Sequence, residues 1–244
     1  MRLFSLILLL PFAVGAQQIT VSTAASLTDA FKELGPKFEA SQPGATVRFN
    51  FAASGVLLQQ ISQGAPVDVF VSADQDTMDR GAAQKLIDTD SRENFVTNSL
   101  VLVEPSKEGT GIQSLQDLAK PAVRRIAIGK PATVPAGRYT QQVLEGAKLW
   151  TVLEPKFVQA DNVRQVLDYV SRGEVEAGFV YRTDATLLGD KLKIVLTPAN
   201  HAPVSYPIAV VSDSKQKAVA QSFIAFLFTD AAQQVLTKYG FGKP

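Results

Sequence analysis

The chain of 244 residues has no cysteine, one histidine, one tryptophan and two methionines. Without cysteine there are no disulfides, zinc–thiolate sites, iron–sulfur clusters or thiol nucleophiles. The absence also suits an oxidising compartment, where a free thiol is a liability. The single histidine, His201, sits in the polar stretch 198–203 and reads as a surface-loop residue. A secreted serine hydrolase would depend on it entirely, and no GxSxG elbow, P-loop or HExxH motif accompanies it. No enzyme activity and no cofactor are expected. An excess of charge is missing too: 24 Lys and Arg face 23 Asp and Glu, without basic clusters. That balance argues against nucleic acid or an anionic membrane surface as partner.

Long apolar runs are absent beyond residue 16. Before it, Arg2 precedes the apolar stretch Leu3–Val14, and Val14-Gly15-Ala16 supplies small residues at a cleavage site. Residues 1–16 therefore read as a signal peptide cleaved after Ala16, too short for the roughly 20 residues of a membrane span. With no cysteine near that site a lipoprotein anchor is not expected, and a retained soluble export product suggests a periplasmic location. Losing Arg2 leaves 23 charges of each sign.

What the chain does have is a repeated junction. Apolar strand-like runs end in small or hydroxyl residues and pass at once into helical patterns. ITVSTAAS meets LTDAFKELGPKF, VRFNFAAS meets GVLLQQI, RIAIGKPATVPA meets GRYTQQVL, KFVQADN meets VRQVLDYV, and EAGFVYRTD meets ATLL. Each junction places free backbone N–H groups and the positive end of a helix dipole at the carboxyl edge of a sheet. None is rich in lysine, so neutral donors would hold a ligand there. A small oxyanion fits that inventory.

The patterns predict strands at 18–23, 46–52, 67–71, 100–104, 125–129, 156–160, 177–180, 193–196 and 206–211. Helices are predicted at 27–41, 56–63, 74–81, 114–120, 137–145, 163–173 and 215–239. Asp74 or Ser72, and Asn162, are candidate N-caps. Alternating strands and helices predict an α/β protein with mainly parallel sheets covered on both faces. The runs Leu100–Val103 and Pro207–Val211 sit between blocks of such units. If the chain crosses at the first and returns at the second, two lobes result: 17–98 with 206–244, and 99–205.

In their order along the chain, AASLTDAF, FAASGVL, GAPVDVFVSADQ, NSLVLV, VPAGRY, DNVRQVL, FVYRTDA, YPIAVV and KYGF resemble the periplasmic molybdate-binding proteins, the solute receptors of ABC-type molybdate importers. The resemblance covers essentially all of the chain after the signal. It implies a type II periplasmic-binding-protein fold, two α/β lobes joined by two hinge strands, and a monomer that hands its ligand to a membrane permease. It places ligand donors at the Ser26 and Ser54 hydroxyls, the Ala136 and Val163 backbone N–H groups, and the Tyr181 hydroxyl. The metal would be held through its oxo groups, with no direct metal ligand. Ala53 and Gly55 flank Ser54 where some relatives carry further hydroxyls, and Arg138 is not expected to touch ligand.

Each donor has a plainer reading beside that one. Ser26 suits a helix cap, Ser54 a turn, Pro135-Ala136-Gly137 a connection, Val163 the core, and Tyr181 a core ring with its hydroxyl at the surface. Molybdate is a dianion near neutral pH with four acceptor oxygens and no proton to give. A phosphate receptor should offer an acceptor, and Asp161 and Asp184 lie near enough in sequence to supply one. Sulfate must be rejected by size, and tungstate is not separable from molybdate. Sulfate, thiosulfate or a small organic acid are the alternative ligands.

Overall fold

The computed structural model describes residues 17–107 and 109–244, so the signal segment 1–16 lies outside the described residues. The chain forms β1 (Gln17–Ala24), α1 (Thr28–Ser41), β2 (Ala45–Ala52), α2 (Ser54–Ser62), β3 (Val69–Val71), α3 (Gln75–Ala83) and β4 (Glu93–Asn98). After Ser99 come β5 (Leu100–Pro105), β6 (Ile126–Gly129), α4 (Pro135–Gly146), α5 (Trp150–Leu153), β7 (Phe157–Ala160), α6 (Val163–Ser171), β8 (Ala177–Tyr181), α7 (Arg182–Leu187) and β9 (Leu192–Leu196). The chain ends through β10 (Val204–Val210), α8 (Lys217–Leu227) and α9 (Asp230–Lys238).

Two five-stranded sheets result, in the orders β2-β1-β3-β10-β4 and β7-β6-β8-β5-β9. The two orders are the same pattern. In each, four strands run the same way and only the fourth in order, β10 or β5, runs opposite to its two neighbours. The sheets are thus mixed, with four of the five strands of each in the one direction expected of a mainly parallel sheet. The cause is the crossings: β5 follows β4 directly into the second sheet, β10 returns into the first, and each pairs antiparallel with its neighbours. The crossing points are Ser99 and the segment 197–203, while the runs expected to link lobes are strands within the sheets.

Apolar periodicity explains the packing. The α1 stripe Ala30, Phe31, Leu34 and Phe38 is buried against the first sheet, as its spacing predicts. Phe31 and Phe38 meet Phe223 of α8 with ring centroids 6.0 and 5.1 Å apart, and Phe31 meets Phe95 of β4 at 6.1 Å. Fully burying each ring contributes about 1.5–3 kcal/mol, which ties the C-terminal helices to the first sheet. The helix expected over 215–239 is broken at Phe228-Thr229, where Thr229 accepts the Ala232 N–H and starts α9. The helix expected over 114–120 is a 3-10 turn, Leu115–Ala119.

The parallel strands aim at one place. β1, β2, β6, β7 and β8 end, respectively, beside Ser26, Ser54, Ala136, Val163 and Tyr181. The N-caps act as expected: Asp74 accepts the Thr77 N–H and Asn162 the Gln165 N–H. Glycine sets the seat of α4. A Cβ on Gly137 would collide with the Gly129 carbonyl oxygen, so the helix start lies directly on the end of β6. Gly137→Ala should therefore destabilise the protein by about 1–3 kcal/mol, read as a lowered urea midpoint. An unchanged midpoint would contradict that close approach.

Candidate functional site

Ser26, Ser54, Ala136, Val163 and Tyr181 all line one cavity between the two sheets. Its free volume is about 10 Å³, far below the roughly 300–1,000 Å³ of pockets for drug-sized ligands. Its size suits a small ion.

Ser26, Ser54, Ala136, Val163 and Tyr181 each bring an O–H or N–H group to this lining. Ser54 opens α2, and its Oγ accepts the Ala73 N–H at 3.0 Å, which leaves its own proton free. Ser26 does not cap α1; it lies in a 3-10 turn and its Oγ is 3.0 Å from Tyr206 Oη. At the start of α4, Pro135 has no N–H, and Gly137 and Arg138 both donate to Val134 O. That leaves the Ala136 N–H as the open donor of the turn. At α6 the Asn162 side chain satisfies Gln165, not Val163. Tyr181 is buried rather than surface-tipped, and its hydroxyl has no hydrogen-bond partner. Burial pushes its phenol well above the ordinary range, with the neighbouring Tyr206 adding to the shift, so it stays protonated.

Around the rim the sheets grip one another. The Gly55 N–H donates to Thr133 O at 2.9 Å, and a Cβ at Gly55 would lie 2.7 Å from that oxygen. Arg138 donates from Nε to Asp74 Oδ2 at 2.7 Å and from Nη2 to Thr77 Oγ1 at 2.6 Å. Arg164 donates to Asp29 at 2.7 Å and to Ser26 O at 3.2 Å, while its Nε lies 2.6 Å from Asp184 Oδ1. Sequence reasoning assigned these arginines no part. Arg138 does keep clear of the cavity lining, but it joins the two sheets beside it.

The arginines bring no uncompensated positive charge, since Arg164 stands between two carboxylates and Arg138 faces Asp74. Neither aspartate that threatened the donor-only reading lines the cavity. Asp161 is exposed and paired with Lys130, and Asp184 is buried behind Arg164. His201 is also elsewhere, its ring nitrogens against the Ala202 and Pro198 carbonyls. No group of three or more His, Cys, Asp or Glu suited to a metal ion occurs among the described residues.

Paired α/β sheets whose strand ends converge on a small donor-lined cavity define a class: a two-lobed solute-binding protein. The chain belongs to the bacterial extracellular solute-binding protein family, whose model matches residues 19–242. It is 37% identical over 229 residues to the molybdate-binding protein ModA of Escherichia coli (strain K12), covering 92% of this chain and 88% of that one. The molybdate-binding protein ModA of Haemophilus influenzae is 34% identical over 240 residues, covering 94% and 91%. The solved Azotobacter vinelandii periplasmic molybdate-binding protein superposes with a TM-score of 0.79 at 25% identity, over 93% of this chain and 99% of that one. This family and these relatives are solute-binding proteins rather than enzymes.

Burial pushes the Asp184 carboxyl up to about 6, and the Arg164 guanidinium opposes part of that rise. A folded pKa above the ordinary 3.8 means that the native state holds this proton more tightly than the unfolded chain. The group therefore adds stability as pH falls from about 6 towards about 4, and withdraws it as pH rises through that window. Between about pH 7 and pH 5, the melting temperature of the wild type should gain on that of Asp184→Asn. Parallel curves would contradict the assignment.

Proposed function

We propose that this protein is a periplasmic receptor that captures molybdate, and tungstate with it, and delivers it to the membrane permease of an ABC-type importer. The observation that carries the reading is the convergence of Ser26, Ser54, Ala136, Val163 and Tyr181 on one cavity that no carboxylate lines. A tetrahedral dianion offers four acceptor oxygens and no proton, which matches these O–H and N–H groups. The ModA relatives, named for the same ligand, support it. Charged hydrogen bonds of this kind contribute roughly 1.5–3 kcal/mol each, and the starts of α4 and α6 add favourable dipoles.

The working unit is a monomer of two lobes, residues 17–98 with 206–244 and residues 99–205, that close on the ion. The permease reads the closed form through rims contributed by both lobes. No chemistry is done on the ligand, and the metal is held only through its oxo groups.

Thermal shift with a panel of anions tests the ligand. Molybdate and tungstate at about 100 times their dissociation constant should stabilise the protein by about 2.7 kcal/mol, while sulfate at the same concentration should not. Stabilisation by sulfate or thiosulfate alone would transfer the role to that ion. Calorimetry tests the site: Ser26→Ala combined with Tyr181→Phe should abolish tight molybdate binding while the unliganded protein stays folded. Wild-type affinity in that double variant would refute it.

A further inference from the structure

Behind Ser26 runs a hydrogen-bonded chain whose direction is fixed at its far end. The Ser99 backbone N–H, which can only donate, lies 2.9 Å from Asn98 Oδ1. That bond orients the amide, and Asn98 Nδ2 then donates to Thr183 Oγ1 at 2.9 Å and to Tyr206 Oη at 3.2 Å. Tyr206 is fully buried, and burial, with the nearby Asp184 charge, pushes its phenol up, so it keeps its proton. Among the described residues its hydroxyl has two partners, Asn98 Nδ2 and Ser26 Oγ. Since Asn98 has no acceptor left to offer, Tyr206 accepts from Asn98 and gives its own proton to Ser26. Ser26 thus accepts from behind, and its O–H is left for the cavity. Ser54 is oriented the same way by the Ala73 N–H.

We infer that Asn98 and Tyr206 are specificity-determining residues: they hold Ser26 as a donor, so the site admits fully deprotonated dianions and rejects oxyanions that carry a proton. The inference deepens the receptor reading and rests on it. Neither Asn98 nor Tyr206 lines the cavity, so both are positioning residues that act through Ser26. A ligand hydroxyl brought against Ser26 would set one O–H against another, and a buried donor left without an acceptor costs about 1–3 kcal/mol. Size exclusion does not supply this discrimination, since it leaves a protonated ion of the right radius unopposed.

The test is a double-mutant cycle on the full protein, with molybdate as probe, read by calorimetry and by thermal shift at millimolar ligand. Tyr206→Phe removes the donor behind Ser26 and should weaken molybdate about tenfold. In a Ser26→Ala background the same change should cost less than about twofold, because its target is gone. The preference for molybdate over hydrogenphosphate should narrow by about tenfold in Tyr206→Phe, and shift the same way in Asn98→Ala, which keeps the phenol. A Tyr206→Phe penalty of equal size with and without Ser26, or an unchanged preference in both variants, would overturn the relay. Failure of the wild type to bind molybdate or tungstate is a different result and defeats the receptor reading itself.

Discussion

A doubly charged ion removed from water must find a hydrogen-bond donor for each oxygen it presents, and the donated protons must have nothing else to bind. The cavity meets this condition by subtraction. Asn162 satisfies the Gln165 N–H and leaves Val163 open, Pro135 and the Val134 carbonyl leave Ala136, and Tyr181 is buried with its hydroxyl unpartnered. Donors fixed in this way need little reorganisation when charge arrives, which lets uncharged groups serve in place of a lysine. The two nearby guanidiniums are already matched to Asp74, Asp29 and Asp184.

Recognition and closure share the same turns. Gly55, which reaches Thr133, follows Ser54; Arg138, which reaches Asp74, comes two residues after Ala136; Arg164, which reaches Asp29, follows Val163. The groups that face the cavity and the groups that join the sheets are therefore carried by the same helix starts. An ion that draws the donors together favours the clasped arrangement by whatever it gains there over the open one, which is how a ligand shifts a population. The Asp74–Arg138 pair is largely buried, so removing one partner strands the other away from water, and the clasp acts as a unit.

Much of the site was legible because strand-to-helix junctions carry local signals. Ser26, Ser54, Ala136, Val163 and Tyr181 each stand where an apolar run gives way to a helix, and the ordered resemblance picked them out of otherwise ordinary roles. What stayed hidden was set by tertiary placement. β4 has only Phe95 and Val96 buried and lies at a sheet edge, so it offers little periodicity to read. Tyr206 looked like the first residue of an apolar strand, and nothing local could show that its hydroxyl meets Ser26, 180 positions earlier. Arg138 and Arg164 carried no readable signal as clasp residues because their partners, Asp74 and Asp29, come from the other sheet. The antiparallel strands follow from where the chain crosses between sheets, which no window of sequence contains.

The account rests on neutral donors from both sheets enclosing one tetrahedral dianion. Tungsten is heavy enough to be located by anomalous scattering in a crystal of the tungstate complex. The account predicts one peak, with its oxygens about 2.5–3.2 Å from Ser26 Oγ, Ser54 Oγ, Ala136 N, Val163 N and Tyr181 Oη. A peak held by lysine or arginine side chains, or lying outside that cavity, would contradict it.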